Sequence, residues 1–205
     1  MVNITDKVGT NETNIASNTS AIADAGGAWE FVSSTTASSD TSVTLSLTGD
    51  ASYTAFLVVF TQLIPSVNNK PLYLKMLDNS STQVSFYKGG GVEYCSVSSV
   101  AGFMSDRGSS WYSENISNDT GSREYGASGH VFIQNALGTS GATSGSGSTT
   151  VRWNVVGYDD NTPGRLRERY LVGTTENDTV NKVQLYFDAA NITSGTFYVY
   201  RLVQS

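Results

Sequence analysis

The sequence contains few of the residues on which enzymes and metal proteins most often depend. Its 205 residues include one cysteine, Cys95, and one histidine, His130. A single cysteine excludes an internal disulfide, and a single imidazole excludes a histidine-rich metal site and any mechanism that needs two histidines. Charged residues are also scarce, at 15% of the chain against about 25% in a typical soluble domain.

The sequence also lacks a basic cluster and a long apolar segment. Lys and Arg number 12 against 18 Asp and Glu, a formal net charge of −6, so we do not expect a nucleic-acid partner. The strongest apolar run, Ala55 to Phe60, is far shorter than the roughly 20 residues of a membrane-spanning helix, so we do not expect membrane insertion. The N-terminus is polar rather than basic and then apolar, so we do not expect a signal peptide.

Small polar residues, glycine and aromatic residues are abundant instead. Ser, Thr, Asn and Gly account for 29, 23, 15 and 20 residues, or 87 of 205, and aromatic residues reach 11%. This composition is too aromatic for a disordered chain and too poor in strong helix formers for a mainly helical one. It predicts many short strands joined by polar turns.

The first 27 residues differ from the rest and predict a helical stalk. Val8, Ile15 and Ile22 recur at intervals of seven, and the segment ends at Gly26–Gly27, where a helix would terminate. Because so thin an apolar stripe cannot stabilise a lone helix in water, the helix needs copies of itself. We expect residues 1–27 to form a trimeric coiled coil; a dimeric coil and a flexible polar leader are the alternatives.

Two asparagines in this stretch, Asn11 and Asn18, fall at heptad position d. In a trimer, three inward amides can turn their N–H donors toward a central anion. The segments 8–13 and 15–20 resemble the Val/Ile-x-x-Asn-Thr repeat of trimeric stalks in bacterial trimeric autotransporter adhesins and phage fibres. In that family the asparagine ring holds a chloride, so the resemblance implies chloride at Asn11 and Asn18, although Glu12 stands where the repeat has Thr.

Residues 28–205 show the apolar–polar alternation that predicts β-strands. Alternating stretches begin at Trp29, Val43, Tyr53, Leu72, Val84, His130, Val151, Val183 and Phe197. Turn signals separate them, at Asn68–Asn69, at Asp78–Asn79 and at glycine clusters such as Gly89–Gly91. About ten short strands with long loops predict a mainly β head with a jelly-roll-like β-sandwich fold.

Two of the predicted strands have unusual faces. The run from Ala55 to Phe60 is apolar at every position, so it is predicted to be a central strand with both faces covered, one of them by a neighbouring subunit in a trimer. In the last strand, Tyr198 and Tyr200 alternate with apolar residues, and their amphipathic rings suit an interface or a wet sheet face.

Three segments of the head also resemble phage proteins. Residues 29–34, 53–56 and 191–200 are similar to jelly-roll heads at the C-termini of bacteriophage fibre and virion proteins. The resemblance covers most of residues 28–205. It implies a location on the virion, in a tail fibre or on the capsid exterior, with other virion proteins as partners, and it implies no catalytic residues.

No catalytic or metal-binding constellation is evident in the sequence, so we do not expect an enzyme or a metal site. His130 begins an apolar strand and Cys95 lies in an alternating stretch, so both are interpreted as structural. The adjacent Asp159 and Asp160 are typical of a turn. A turn explains them better than a glycosidase carboxylate pair, and a Ca²⁺ site, the other alternative there, lacks an EF-hand-like spacing.

Two long segments, residues 105–126 and 157–169, are interpreted as loops that contact a ligand. Aromatic rings beside planar polar groups are what sugar recognition needs. The candidate contacts are Trp111, Tyr112, Arg123 and Tyr125 in the first loop and Asp159, Asp160 and Arg165 in the second. The alternatives are solvated loops or an inter-subunit salt-bridge patch.

The sequence thus predicts a homotrimeric phage virion fibre protein whose head binds a host-surface glycan. Three weak sites on one rigid head would gain avidity through effective concentration. No cofactor is expected apart from chloride in the stalk. The main alternative is a capsid decoration or head-fibre structural protein, and a further one is a fragment of a bacterial surface adhesin.

Overall fold

The computed structural model describes residues 29–49, 55–95, 98–108, 110–118, 126–136, 149–159, 165–175 and 179–203. All the regular secondary structure in these ranges is β-strand. The expectation of a mainly β head is therefore confirmed. The predicted stalk, with Asn11 and Asn18, lies outside the described residues.

Thirteen strands make up the described part of the chain. In chain order they are β1 (Trp29–Ala37), β2 (Val43–Ser46), β3 (Ala55–Pro65), β4 (Lys70–Leu77), β5 (Gln83–Val84), β6 (Phe86–Cys95), β7 (Ser98–Gly108), β8 (Trp111–Ile116), β9 (Ala127–Gln134), β10 (Thr150–Asp159), β11 (Arg165–Thr175), β12 (Lys182–Phe187) and β13 (Ile192–Leu202).

The strands form two antiparallel sheets that pack as a sandwich. The larger sheet has eight strands in the order β1-β13-β3-β9-β10-β11-β6-β7. The smaller sheet has five, in the order β2-β12-β4-β5, with β8 also paired to β4. Strands distant in the chain are neighbours in both sheets, so long connections as well as hairpins build the fold.

The core lies between the two sheets and follows directly from the alternation of side chains along each strand. Phe56, Phe60 and Phe197 project inward from the larger sheet and are fully buried, as are Leu72 and Leu74 from the smaller sheet. Burying each such side chain stabilises the fold by about 1.5–3 kcal/mol before entropy costs. The residues between them in each strand face outward.

Both of the predicted Asn and Asp turns are confirmed. After β4, the backbone N–H of Thr82 donates to Asp78 Oδ1 at 2.7 Å, and the N–H of Ser81 donates to the Asp78 carbonyl at 3.1 Å. Between β3 and β4, Asn69 has a positive φ of 61°, which asparagine tolerates better than most residues. The short polar side chains thus hydrogen-bond the backbone that they turn.

The turn predicted at Gly89–Gly91 is wrong. These glycines lie inside β6, which pairs with β11 on one side and β7 on the other. A Cβ atom on Gly89 would lie 2.8 Å from Cζ2 of Trp111, so the missing side chain makes room for the indole. Glycine in a strand interior often marks such a close approach, and the sequence does not reveal the approaching residue.

The two predicted loops also contain strand. Within residues 105–126, β7 runs to Gly108 and β8 occupies Trp111–Ile116; within 157–169, β10 runs to Asp159 and β11 begins at Arg165. The start of β11 carries arginine at inward positions where an apolar residue is usual. The normal alternation is therefore absent from the sequence, although the strand is present.

Gly89→Ala should destabilise the fold. The new methyl group would overlap the Trp111 indole, and overpacking of this kind costs about 1–3 kcal/mol. Gly49→Ala is the control, because Gly49 is exposed outside both sheets and an added methyl group there meets no neighbouring atom. Urea unfolding of both variants measures the difference, and equal midpoints would contradict the packing assigned to Gly89.

Candidate functional site: a tyrosine ladder on the smaller sheet

Three tyrosines from neighbouring strands form a row on the outer face of the smaller sheet. Tyr186 of β12 is opposite Tyr73 of β4, and Tyr73 is opposite Tyr112 of β8. The residues that flank Tyr73 and Tyr186 in their strands are buried in the core, so alternation places the tyrosines toward solvent. We call Tyr186, Tyr73 and Tyr112 the tyrosine ladder.

The three rings of the ladder contact one another in sequence across the strands. The centroids of Tyr186 and Tyr73 are 5.1 Å apart with the rings 19° from parallel, and those of Tyr73 and Tyr112 are 5.5 Å apart at 35°. Because stacked rings cover part of each other's faces, the ladder offers a ligand its ring edges and hydroxyl groups. Tyr112, 51% exposed, is the most accessible of the three.

A cation lies against the ring at each end of the ladder. Lys75 Nζ is 4.6 Å from the Tyr186 ring centroid, and the guanidinium carbon of Arg169 is 5.3 Å from that of Tyr112. Attraction between a cation and an aromatic face stabilises such pairs by about 0.5–1 kcal/mol when they are exposed. Both contacts restrict the rings and so fix the shape of the ladder.

Groups that can hydrogen-bond a ligand border the ladder. Gln184 is the next outward-facing residue from Tyr186 along β12 and lies opposite Lys75 in the sheet. Its amide nitrogen donates to Thr44 Oγ1 at 3.1 Å. Asp188 is exposed just beyond the end of β12. Partial burial, followed by the charge of Asp188, raises the pKa of Tyr73, so its hydroxyl keeps its proton and remains a hydrogen-bond donor.

Tyr112 is held in place by a cluster of charges, the Arg–Glu cluster of Glu93, Arg167 and Arg169. Glu93 Oε1 is 2.9 Å from Arg167 Nη1, and Glu93 Oε2 is 3.0 Å from Arg169 Nη2. Arg169 Nη1 also donates to the carbonyl of Tyr112 at 2.8 Å. The cluster therefore joins β6 and β11 of the larger sheet to β8 of the smaller one.

The structure separates the residues predicted to contact a ligand. Tyr112 is exposed in the ladder, but Trp111 is 2% exposed and lies in the core, so its indole cannot reach a surface ligand. Asp159 and Arg165 are backbone partners at the end of the β10–β11 pair. Arg123, Tyr125 and Asp160 lie outside the described residues.

The one cysteine and the one histidine of the sequence lie away from the ladder, in the larger sheet. Cys95 ends β6. His130 is exposed on β9, where partial burial lowers the pKa of its imidazole and the charge of Glu168 opposes that shift. Within the described ranges, no group of three or more His, Cys, Asp or Glu side chains is placed to hold a metal ion.

Sequence reasoning missed Tyr73 and Tyr186. Each lies between buried apolar residues in its strand, as Leu72-Tyr73-Leu74 and Leu185-Tyr186-Phe187, so the pattern places each on an outer face. The pattern does not show that β4 and β12 are neighbours, because the two strands are more than a hundred residues apart in the chain. The ladder exists only through that pairing.

No family model matches this chain, and neither a curated protein nor a solved structure is similar to it. No helix among the described residues is long and apolar enough to cross a bilayer. What the ladder can do must therefore follow from its own residues.

Glu93→Gln should be strongly destabilising. It would leave Arg167 and Arg169 close together and largely buried without their shared carboxylate, a loss that typically costs about 3–5 kcal/mol. Glu30→Gln is the matched control, because the Glu30–Arg201 pair is more exposed and its loss should matter far less. Denaturant unfolding compares the two, and a smaller effect at Glu93 would contradict the role of the cluster.

Proposed function

We propose that this chain is a homotrimeric bacteriophage virion fibre protein whose head binds a host-surface glycan at the tyrosine ladder. The observation that carries the binding role is the ladder itself, a row of three tyrosines on a solvent-facing sheet surface. The placement on a virion, in a tail fibre or on the capsid exterior, rests on the resemblance of residues 29–34, 53–56 and 191–200 to phage heads.

The ladder has the chemistry that a saccharide requires. The exposed edges of the tyrosine rings can contact the C–H groups of a sugar, and the tyrosyl hydroxyls with Gln184, Asp188 and Lys75 can hydrogen-bond its hydroxyl groups. Two strand spacings of about 4.8 Å make the row about 10 Å long, comparable with a disaccharide. The site binds without covalent chemistry, so the proposed role is not enzymatic.

The ladder lies on paired strands, and this makes it rigid. Side chains that are already ordered lose little conformational entropy when a ligand binds. A shallow row of rings still provides only weak affinity, because each hydrogen bond to a sugar replaces one to water and gains about 1 kcal/mol. Three ladders on one trimer would raise the effective affinity through multivalency.

The finer features of the fold belong to the same proposal. A jelly roll is built from two antiparallel sheets, and the sandwich of the described residues supports that assignment for the head. The trimeric stalk at residues 1–27 is supported by its seven-residue repeat. Chloride at Asn11 and Asn18 is supported by the resemblance to trimeric stalks of adhesins and phage fibres.

Tyr112→Ala should weaken glycan binding about tenfold, because an aromatic contact is worth roughly 1 kcal/mol beyond its buried area. Tyr73→Phe, which keeps the ring and loses the hydroxyl, should cause a smaller loss. Labelled protein on an array of bacterial surface glycans, followed by adsorption to cells that carry the bound glycan, measures both effects.

Val67→Ala is the control for this experiment, because Val67 is also exposed, at 47%, but lies in the turn between β3 and β4. It should bind as the unmodified protein does. Binding that is unaffected by every ladder variant, or no binding to any glycan, would contradict the receptor role. A purely structural protein, such as a capsid decoration or head-fibre protein, would give that second result.

Asn18→Ile should raise the melting temperature of the stalk and abolish its dependence on halide. A buried asparagine costs stability, which a bound anion partly restores, whereas isoleucine at the same position needs no anion. Melting of the full chain in chloride and in sulfate buffers of equal ionic strength measures the effect. A parent protein whose melting is identical in both buffers would rule out the anion site.

A further inference from the structure

The outer face of the larger sheet is unusually apolar for a surface in contact with water. Eight large hydrophobic side chains are exposed among the described residues, and six of them lie on this face. The six are Trp29, Phe31, Tyr94, Leu166, Tyr170 and Val172. We call this face, from β1 to β6, the apolar patch.

Strand register aligns the residues of the apolar patch in rows across the sheet, which the polar side chains of Arg152 and Asn154 in β10 interrupt. One row runs Phe31, Tyr200, Leu57 and Phe132 across β1, β13, β3 and β9. The next row on the same face runs from Tyr198 through Val59, His130 and the polar Asn154 to Tyr170. A shallow hollow of about 390 Å³ lies beside these rows. Its lining includes Leu57, Val59, Ser128 and His130.

Contacts within the chain do not cover the patch. The ring of Trp29 contacts that of Phe132 edge-on at 6.0 Å, and Phe31 contacts Tyr200 at 5.8 Å. Even so, Trp29 remains 40% exposed and Phe31 54% exposed. The rings are held in defined positions while much of their surface still faces outward.

The size of the patch is that of a subunit interface. The seven strands from β1 to β6, at a spacing of about 4.8 Å, span about 29 Å, and two or more rows of side chains make an area of several hundred Å². Monomers rarely leave more than a few hundred Å² of contiguous apolar surface exposed, whereas a specific interface buries about 800 Å² on each partner. The charged side chains described on this face, Arg152 and Glu168, have opposite signs.

The sequence that precedes β1 indicates the partner. Residues 1–28 lead directly into Trp29, which lies in edge strand β1 and belongs to the patch. If three copies of this segment gather in one coil, the starts of three β1 strands, each with a patch residue at Trp29, are brought close to the same axis. Three heptads with so thin an apolar stripe provide little association energy of their own, so the heads must supply the rest. The tyrosine ladder lies on the opposite sheet and would remain accessible.

We infer that the apolar patch is the subunit interface of the trimer, so that each copy's patch is covered by other copies of this chain. This inference rests on the homotrimer of the proposed function and names the surface that forms it. It accounts for the outward apolar side chains of Leu57 and Val59 in β3, which are only half-buried within the described chain.

Sedimentation of the full chain at micromolar concentration tests the interface. The parent protein should be a trimer, and Phe31→Asp and Val172→Asp should each raise the concentration at which it dissociates at least tenfold. Val67→Asp is the control, because that side chain is 47% exposed outside both sheet faces, and it should leave the trimer intact. Cooperative melting confirms that each variant folds.

Quenching of tryptophan fluorescence by acrylamide tests the same surface without a disruptive substitution. Of the three tryptophans, Trp29 is exposed while Trp111 and Trp153 are buried. Trp29 should be protected in the trimer and become quenchable on dilution below the dissociation concentration. Trp29→Phe should remove that change in quenching.

The outcomes separate this inference from the proposed function. If the parent protein is a trimer but Trp29 stays fully quenchable, or if both Asp variants leave the trimer intact, the apolar patch is not the subunit interface. Neither result affects the proposed glycan site. A monomeric parent protein overturns the interface and the trimeric part of the function together. Glycan binding by dissociated Phe31→Asp, weaker only through lost avidity, shows that the ladder acts independently of the interface.

Discussion

Everything in this fold depends on one constraint, the packing of the inner faces of two sheets against each other. Phe56 and Phe60 in β3 and Leu72 and Leu74 in β4 must face the core, because water-exposed positions would forfeit their burial energy. Since side chains alternate along a strand, the residues between these core residues must face outward. The inner core therefore determines which chemistry each outer face presents.

The two outer faces that result are different in kind. The smaller sheet presents Tyr186, Tyr73 and Tyr112 with polar neighbours, and the larger sheet presents a broad apolar patch. The Arg–Glu cluster connects the two sheets at one edge, because Arg169 reaches from β11 to the backbone of β8. The position of Tyr112 thus depends on charges that belong to the other sheet. The proposed ligand surface and the proposed association surface therefore lie on opposite sides of the head, an arrangement that suits multivalent binding.

The strands with an apolar inner face, such as β3, β4 and β12, could be predicted from the sequence, and so could the turns at Asn69 and Asp78. The β11 strand could not, because Arg167 and Arg169 face inward and pair with Glu93, which is far away in the chain. The same limit applies to the site. Tyr112 could be proposed as a ligand contact from the composition of the segment around it. Its partners Tyr73 and Tyr186 can be identified only when the pairing of the strands is known.

Hydroxyl-radical footprinting of the full chain tests the division of the two faces most directly. It reports the solvent accessibility of aromatic side chains in the assembled protein in a single experiment. The account predicts that Tyr94 and Tyr170 on the larger sheet are protected, while Tyr112 on the smaller sheet is readily modified. Equal modification of all three, or protection of Tyr112 alone, would contradict it.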